Sequence, residues 1–266
     1  MRPEGVNLSS LIAERYSRSI LLEDVGPEGQ LRLAGYSVLV VGAGALGSSA
    51  ILSLAAAGTG RVGIADGENV EISNLQRQYI HTETDIGRNK AVSASEKVRA
   101  LNRNLCVDTY DTRVGCENAE SIIGDYDFIC DCTDSFSSKH LINDICVLTG
   151  KPFSHAGVRG FEGQCFTYIP GAPCLRCMID FTAASGGEPG PEGVFGPLPS
   201  LLGSIQAAEA LKYRLGAGEV LAGRVLGVNI RDVVFREVSF EKESGCPVCS
   251  EKPRITGLEP ERYVCL

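Results

Sequence analysis

Residues 38–66, VLVVGAGALGSSAILSLAAAGTGRVGIAD, constrain the fold of this chain more than any other stretch. Val38 to Val41 is a short apolar run rich in β-branched residues, and it ends in Gly42-Ala43-Gly44-Ala45-Leu46-Gly47. An alanine-rich segment without a breaker runs from there to Gly58, and a second apolar run ends at Asp66. The pattern reads as strand, glycine turn, helix, strand, with an acid closing the second strand. Gly42, Gly44 and Gly47 permit a tight turn and close approach of backbone to a phosphate, which the free N–H groups of a helix start favour. Asp66 follows Gly44 by 22 residues, close to the offset of about 20 at which an acid meets a ribose hydroxyl. Two readings follow: an adenine-nucleotide site, or a glycine-rich turn inside an α/β core.

The rest of the chain extends the alternation. Residues 9–35 read as two short helices, the second opened by Pro27, and Arg15 and Arg18 fall on one face of the first. Arg77 lies in a polar loop after Asp66. Lys90 starts a helix that runs to about Asn102, at the end where the helix dipole disfavours a cation. It faces either a bound anion or solvent. Strands are expected at 106–110, 128–130 and 151–155, with helices at 118–123 and 136–148. Asp131 and Asp134 then sit at the carboxyl end of a strand, where open α/β sheets bind ligands. Asp134 is also placed to be a plain helix cap. Beyond residue 160 the strands 163–169, 224–230 and 233–240 lack long intervening helices except one at 201–215, which suits antiparallel pairing. The expected fold is therefore α/β, a doubly wound and mostly parallel sheet with antiparallel C-terminal strands. Residues 186–199 hold five glycines and four prolines; they are expected to form a mobile crossover loop with no helix.

The sequence has eleven cysteines and a formal charge of −8. An odd count in an α/β chain with no signal-peptide pattern argues against a disulfide framework. The negative balance argues against a general nucleic-acid or anionic-membrane binder. With no apolar run of membrane-spanning length, a cytoplasmic protein is expected. Cys174/Cys177 and Cys246/Cys249 form two Cys-x-x-Cys pairs separated by 68 residues. Two such knuckles match a closed tetrahedral Zn²⁺ site of structural role. Cys106, Cys130, Cys132, Cys146 and Cys165 lie in apolar runs and are expected to be buried as small hydrophobes.

Taken together, Arg15-Tyr16-Ser17-Arg18, the VGAGALG turn, Ser73-Asn74-Leu75-Gln76-Arg77-Gln78, Lys90, Asp131-Cys132-Thr133-Asp134, Glu162-Gly163-Gln164 and the paired knuckles resemble the ThiF/MoeB/HesA family, relatives of the ubiquitin-activating enzymes. The resemblance covers roughly residues 10–250. It implies a Rossmann-like fold and ATP-dependent adenylation of the C-terminal glycine of a small ubiquitin-like sulfur-carrier protein ending in Gly-Gly. It also implies site roles. Gly42, Gly44, Gly47, Asp66 and Asn74 would bind the nucleotide, Asp66 at the ribose. Arg77 and Lys90 would grip the phosphates, Asp134 would organise Mg²⁺, and Arg18 would reach the triphosphate of the partner subunit in a homodimer. The expected layout is one adenylyltransferase domain over 1–250: N-terminal helices to 35, a nucleotide-binding part at 36–170, and a crossover loop and zinc-bound part at 171–250. A flexible tail would follow at 251–266.

Three departures from the family pattern stand out. Relatives commonly carry a cysteine in the crossover loop, but none lies between Cys177 and Cys246, and Pro189 falls about where it would sit. Ser135 replaces an asparagine frequent after the aspartate. No rhodanese-like sulfurtransferase segment follows the knuckles. The expectation is adenylation without a loop thioester, with sulfur supplied by an external donor for thiamine, molybdopterin or another sulfur-containing product. Alternatives are a ubiquitin-activating-like enzyme that forms a thioester, a non-catalytic carrier-binding scaffold and an NAD-dependent oxidoreductase. The last shares only the glycine turn and the acid. Cys265, near the C-terminus, is a candidate thiol for a covalent intermediate.

Overall fold

The computed structural model describes residues 14–179 and 193–263. Eight strands form one sheet in the order β3-β2-β1-β4-β5-β6-β7-β8. β1 (Ser37–Val41), β2 (Arg61–Ala65), β3 (Cys106–Tyr110), β4 (Phe128–Asp131) and the start of β5 (Phe153–Arg159) pair in parallel. β6 (Glu162–Tyr168), β7 (Arg224–Asn229) and β8 (Val234–Ser239) continue the sheet antiparallel. The expected mixed, doubly wound architecture is present. Strand order reverses direction between β1 and β4, and in such sheets the crevice at that point takes the ligand.

Side-chain alternation along β1 divides the core. Val38 and Val40 face one apolar layer, Leu39 and Val41 the other, and all four are buried. Over the first face lie α3 (Ala45–Ala57), α4 (Lys90–Leu101) and α8 (Pro197–Leu215). Over the second lie α5 (Ala119–Gly124), α6 (Phe136–Thr149) and α7 (Leu175–Met178), together with the knuckles and Ile255. Before the sheet come two short helices, α1 (Ser17–Ile20) and α2 (Gly26–Ala34), with Pro27 in the first turn of α2. α3 and α8 touch through glycine: a Cβ on Gly203 would lie 2.1 Å from the Leu46 carbonyl oxygen.

Three expectations need correction. α8 begins at Pro197, inside the stretch read as loop, because proline is tolerated in a first helical turn where its missing N–H is not needed. Cys106 is exposed, since it opens the edge strand β3, whereas Cys130, Cys132, Cys146 and Cys165 are buried as expected. The segment after Ser250, read as a free tail, packs against the body as far as Tyr263. Ile255 is buried there, and Pro260–Tyr263 forms a turn of 3₁₀ helix. Pro189 and Cys265 lie outside the described residues. Among the described residues no helix is long and apolar enough to cross a membrane.

Candidate active site

The glycine turn is built by contacts that exclude side chains. Gly42 has φ +96°, and a Cβ there would meet the Cys132 carbonyl oxygen at 2.6 Å. A Cβ on Gly47 would sit 2.0 Å from the Gly42 carbonyl oxygen, so the first turn of α3 closes tightly onto the loop. Gly44 is the N-cap of α3 and supplies no side-chain cap, which leaves the helix start to a ligand. Asp66, just past β2, accepts from the Ala43 N–H on Oδ2 and from the Glu68 N–H on Oδ1, both at 2.8 Å. Burial raises its pKa, while these N–H groups and Lys90 oppose the rise. Asp66 therefore shapes the turn itself, a role its sequence offset did not reveal.

Lys90 is not solvated. It is 6% exposed, and its Nζ donates to Glu68 Oε2 at 2.7 Å. The other Glu68 oxygen faces Arg113 Nη2 at 3.5 Å. The Lys90 ammonium holds Glu68 below the usual carboxylate range. The anion that the lysine meets at the start of α4 is thus a side chain of the chain itself, 22 residues upstream. Glu68, Asn69, Glu71, Asn74 and Lys90 line a cavity of about 340 Å³. Asn74 is buried, and its amide oxygen accepts from the Glu71 N–H at 3.0 Å. Arg77 is half-buried and donates to the Ser73 carbonyl at 3.1 Å, with no acid among the described residues paired to it. Beside the turn, Gln78 places its amide nitrogen 3.5 Å from where a Gly44 Cβ would lie, and its buried amide oxygen has no partner among the described residues. His81 ties the turn to α4, with Nε2 2.9 Å from the Ala43 carbonyl and Nδ1 2.9 Å from Ser93 Oγ. Glu68, Gln78 and His81 were not singled out from sequence; only their positions inside or beside the motif segments pointed to them.

Across the sheet, α6 is capped by Ser135, whose hydroxyl accepts from the Ser138 N–H at 3.2 Å. Asp134 is consequently not the cap. It is exposed and makes no hydrogen bond or ion pair with a described residue. Serine caps as well as asparagine, so the departure at 135 costs the helix nothing. Beneath this loop Asp131 is fully buried. Its Oδ2 meets His155 Nδ1 at 2.8 Å and Lys139 Nζ at 3.6 Å, and its Oδ1 accepts from Thr133 Oγ1 at 2.6 Å.

Arg18 is elsewhere. Neighbouring Tyr16 is anchored at the far end of α3, where its hydroxyl accepts from Asn102 Nδ2 at 2.8 Å and its ring fills the space of a Gly58 Cβ. α3 has 13 residues, so this anchor is about 20 Å from the glycine turn. Arg18 is exposed there, whereas Arg15 donates to the Leu101 carbonyl at 3.2 Å.

The four knuckle cysteines converge, with their Sγ atoms all within 4.8 Å of one another. Cys174 and Cys246 are 3.7 Å apart, Cys177 and Cys249 3.4 Å. Zn–S bonds of about 2.3 Å require S···S edges of about 3.8 Å in a tetrahedron, so the cluster fits Zn²⁺ with no coordination position left open. Cys246→Ser is expected to release metal from the purified protein and to lower its Tm by roughly 5–10 °C. Elemental analysis beside a thermal melt checks this.

A second cavity measures about 390 Å³. It lies between the loop after β3 and the start of α6 and includes Arg113, Val114, Ser137 and Leu141.

The ThiF family model matches residues 16–248. The chain belongs to the ThiF family. It is 42% identical over 261 residues to the SAMP-activating enzyme E1 of Haloferax volcanii, covering 97% of this chain and 96% of that one. It is also 42% identical over 260 residues to the sulfur carrier protein adenylyltransferase of Thermus thermophilus, covering 95% and 96%. The fold matches that of E. coli MccB in complex with MccA-N7isoASN, with a TM-score of 0.80, 22% identity, and coverage of 94% of this chain and 77% of MccB. This ThiF-family chain is an adenylyltransferase of the ThiF/MoeB type.

Proposed function

We propose that the chain uses ATP to adenylate the C-terminal glycine of a small ubiquitin-like sulfur-carrier protein, activating it for thiocarboxylate formation with sulfur from an external donor. What supports this reading is a helix start at Gly44 without a side-chain cap, tied by His81 to the helix that opens with the buried Lys90, on the carboxyl edge of the sheet. That edge belongs to a chain whose relatives of similar length are named for activating SAMP and sulfur carriers. In this reaction the glycine carboxylate attacks the α-phosphorus of ATP, and the bond to the β-phosphate oxygen breaks. Pyrophosphate leaves, and an acyl adenylate remains. Negative charge grows on phosphoryl oxygens, so fixed cations and N–H groups supply the stabilisation and no side-chain nucleophile is required. Asp134, exposed and without a partner among the described residues, suits a Mg²⁺ ion that keeps several waters and takes one carboxylate plus substrate phosphates; that ion would neutralise phosphate charge. The remaining buried residues hold this geometry, and the nucleobase is directed to the cavity beside Arg113.

Discrimination from a carrier-binding scaffold is direct. Purified protein, ATP and a candidate carrier ending in Gly-Gly should exchange radiolabelled pyrophosphate into ATP. No exchange with any such carrier would exclude adenylation.

The distance between Arg18 and the glycine turn favours a homodimer in which Arg18 serves the partner's site. Mixing Arg18→Ala with Lys90→Ala protein should recover up to about a quarter of wild-type activity, because one site in each mixed dimer is intact. Absence of recovery after demonstrated subunit exchange would remove Arg18 from the active site.

A further inference from the structure

The C-terminal segment past the second knuckle lines the cavity beside the nucleotide site. Pro260 and Tyr263 line the 390 Å³ space together with Val114, Leu141, Ser137 and Arg113. This cavity adjoins the site through Arg113. Arg113 reaches Glu68, the partner of Lys90, and a Cβ on Gly67 would lie 2.7 Å from the Arg113 backbone nitrogen. Ser137 follows Asp134 by three residues at the start of α6. The cavity lining mixes Val114, Leu141, Pro260 and the Tyr263 ring with Asn118 and Ser137, apolar surface to stack on a flat heterocycle and polar groups to orient it.

The segment is held in place rather than lying loosely on the surface. Tyr263 Oη donates to Asp144 Oδ2 at 2.9 Å. Asp144 is completely buried in α6 and also receives Arg176 Nε at 2.7 Å and Nη2 at 2.6 Å. Arg176 lies between Cys174 and Cys177 of the first knuckle, and the neighbouring Asn143 accepts from the Leu175 N–H at 2.9 Å. The segment therefore docks on the same buried carboxylate that fixes the knuckle to α6, the helix whose first turn borders the cavity. Burial leads the causes that raise the Tyr263 phenol pKa, with Asp144 next, so the hydroxyl remains a donor at neutral pH.

We infer that Pro260 and Tyr263 complete the purine-base pocket of the nucleotide site, so that the C-terminal segment sets affinity for the base while the phosphate end binds without it. This rests on the nucleotide reading above. The segment contacts the base and takes no part in the chemistry at the α-phosphate.

The test compares ATP with tripolyphosphate, which lacks base and ribose, by calorimetric titration of the full chain, of Tyr263→Ala, and of a chain ending at Leu258. Both altered proteins are expected to bind ATP at least about tenfold more weakly, with tripolyphosphate affinity unchanged. Unchanged ATP affinity in both, with normal binding by the full chain, would overturn the role of the segment and leave the nucleotide site standing. Parallel loss of both ligands would also overturn it, because the segment would then support the fold or the phosphate end. A full chain that binds neither ligand would overturn the nucleotide reading and this inference together.

Discussion

Lys90→Ala and Asp134→Asn are each expected to slow carrier-dependent ATP–pyrophosphate exchange by more than about a hundredfold, with the fold retained. A transition-state contact of about 3 kcal/mol corresponds to that factor. The lysine variant should be the more severe. Lys90 neutralises Glu68 in the free protein, and its removal would leave that carboxylate, with the exposed Arg113 as its other ion-pair partner among the described residues, to repel the phosphates on the proposed reading. Adding Glu68→Gln to Lys90→Ala should therefore recover part of the loss, which simple removal of a phosphate contact would not allow. Exchange near the wild-type rate in either folded single variant would remove that residue from the mechanism.

The Glu68 pair also bears on how the site meets its substrate. A buried ammonium without a counter-charge is costly. Glu68, whose side chain is about half exposed at 55%, supplies that charge at the rim, and in the proposed reaction would give up the lysine to an arriving phosphate. Arg113, 74% exposed, is then the acid's remaining neighbour. Lys90 is thereby kept in position at the start of α4 in the free protein.

Much of this was legible in the sequence because it depends on local pattern. The β-branched run at Val38–Val41, the glycines, the acid after β2 and the Cys-x-x-Cys spacing each dictate structure within a few residues. The unfavourable position of Lys90 at a helix start signalled an anion, but the nearest one is Glu68 in a loop that carries no periodicity. Asp134 was the cap candidate in the sequence, and only the geometry of the turn assigned the role to Ser135. The start of α8 at Pro197 was hidden by a glycine- and proline-rich composition that usually means loop. Docking of the C-terminal segment depends on Asp144, 119 residues before Tyr263. No local signal marks such a pair. The same holds for Asp131 and His155, which sit on adjacent strands and meet only once β5 pairs with β4.

That last pair carries the largest expected effect on stability. Burial alone would raise the Asp131 pKa; the Lys139 ammonium, the His155 ring N–H and Thr133 outweigh it and hold the carboxyl well below the usual range. Removing one partner from a buried charged cluster strands the rest, so Asp131→Ala is expected to cost about 3–5 kcal/mol. Lys139 would retain the Ala156 carbonyl at 2.7 Å but lose its counter-charge. The pH dependence follows from the same contacts. A carboxyl with a depressed folded pKa stabilises above its unfolded value of about 4 and loses that contribution as pH falls toward the folded one. His155 is pushed below its ordinary value, first by burial and then by Lys139, so the unfolded chain takes up its proton first as pH drops below about 6.5. Both groups thus make acid destabilising, in two successive ranges. Asp85, also held low by Lys97 and Thr82 against burial, adds to the lower range. Urea midpoints of the wild type should fall gently below pH 6.5 and more steeply below 4. In Asp131→Asn the midpoint should be lower throughout at neutral pH, and the gap to wild type should narrow as pH drops below 4. A gap that stays constant down to pH 3 would mean that Asp131 acts through packing and not through its charge.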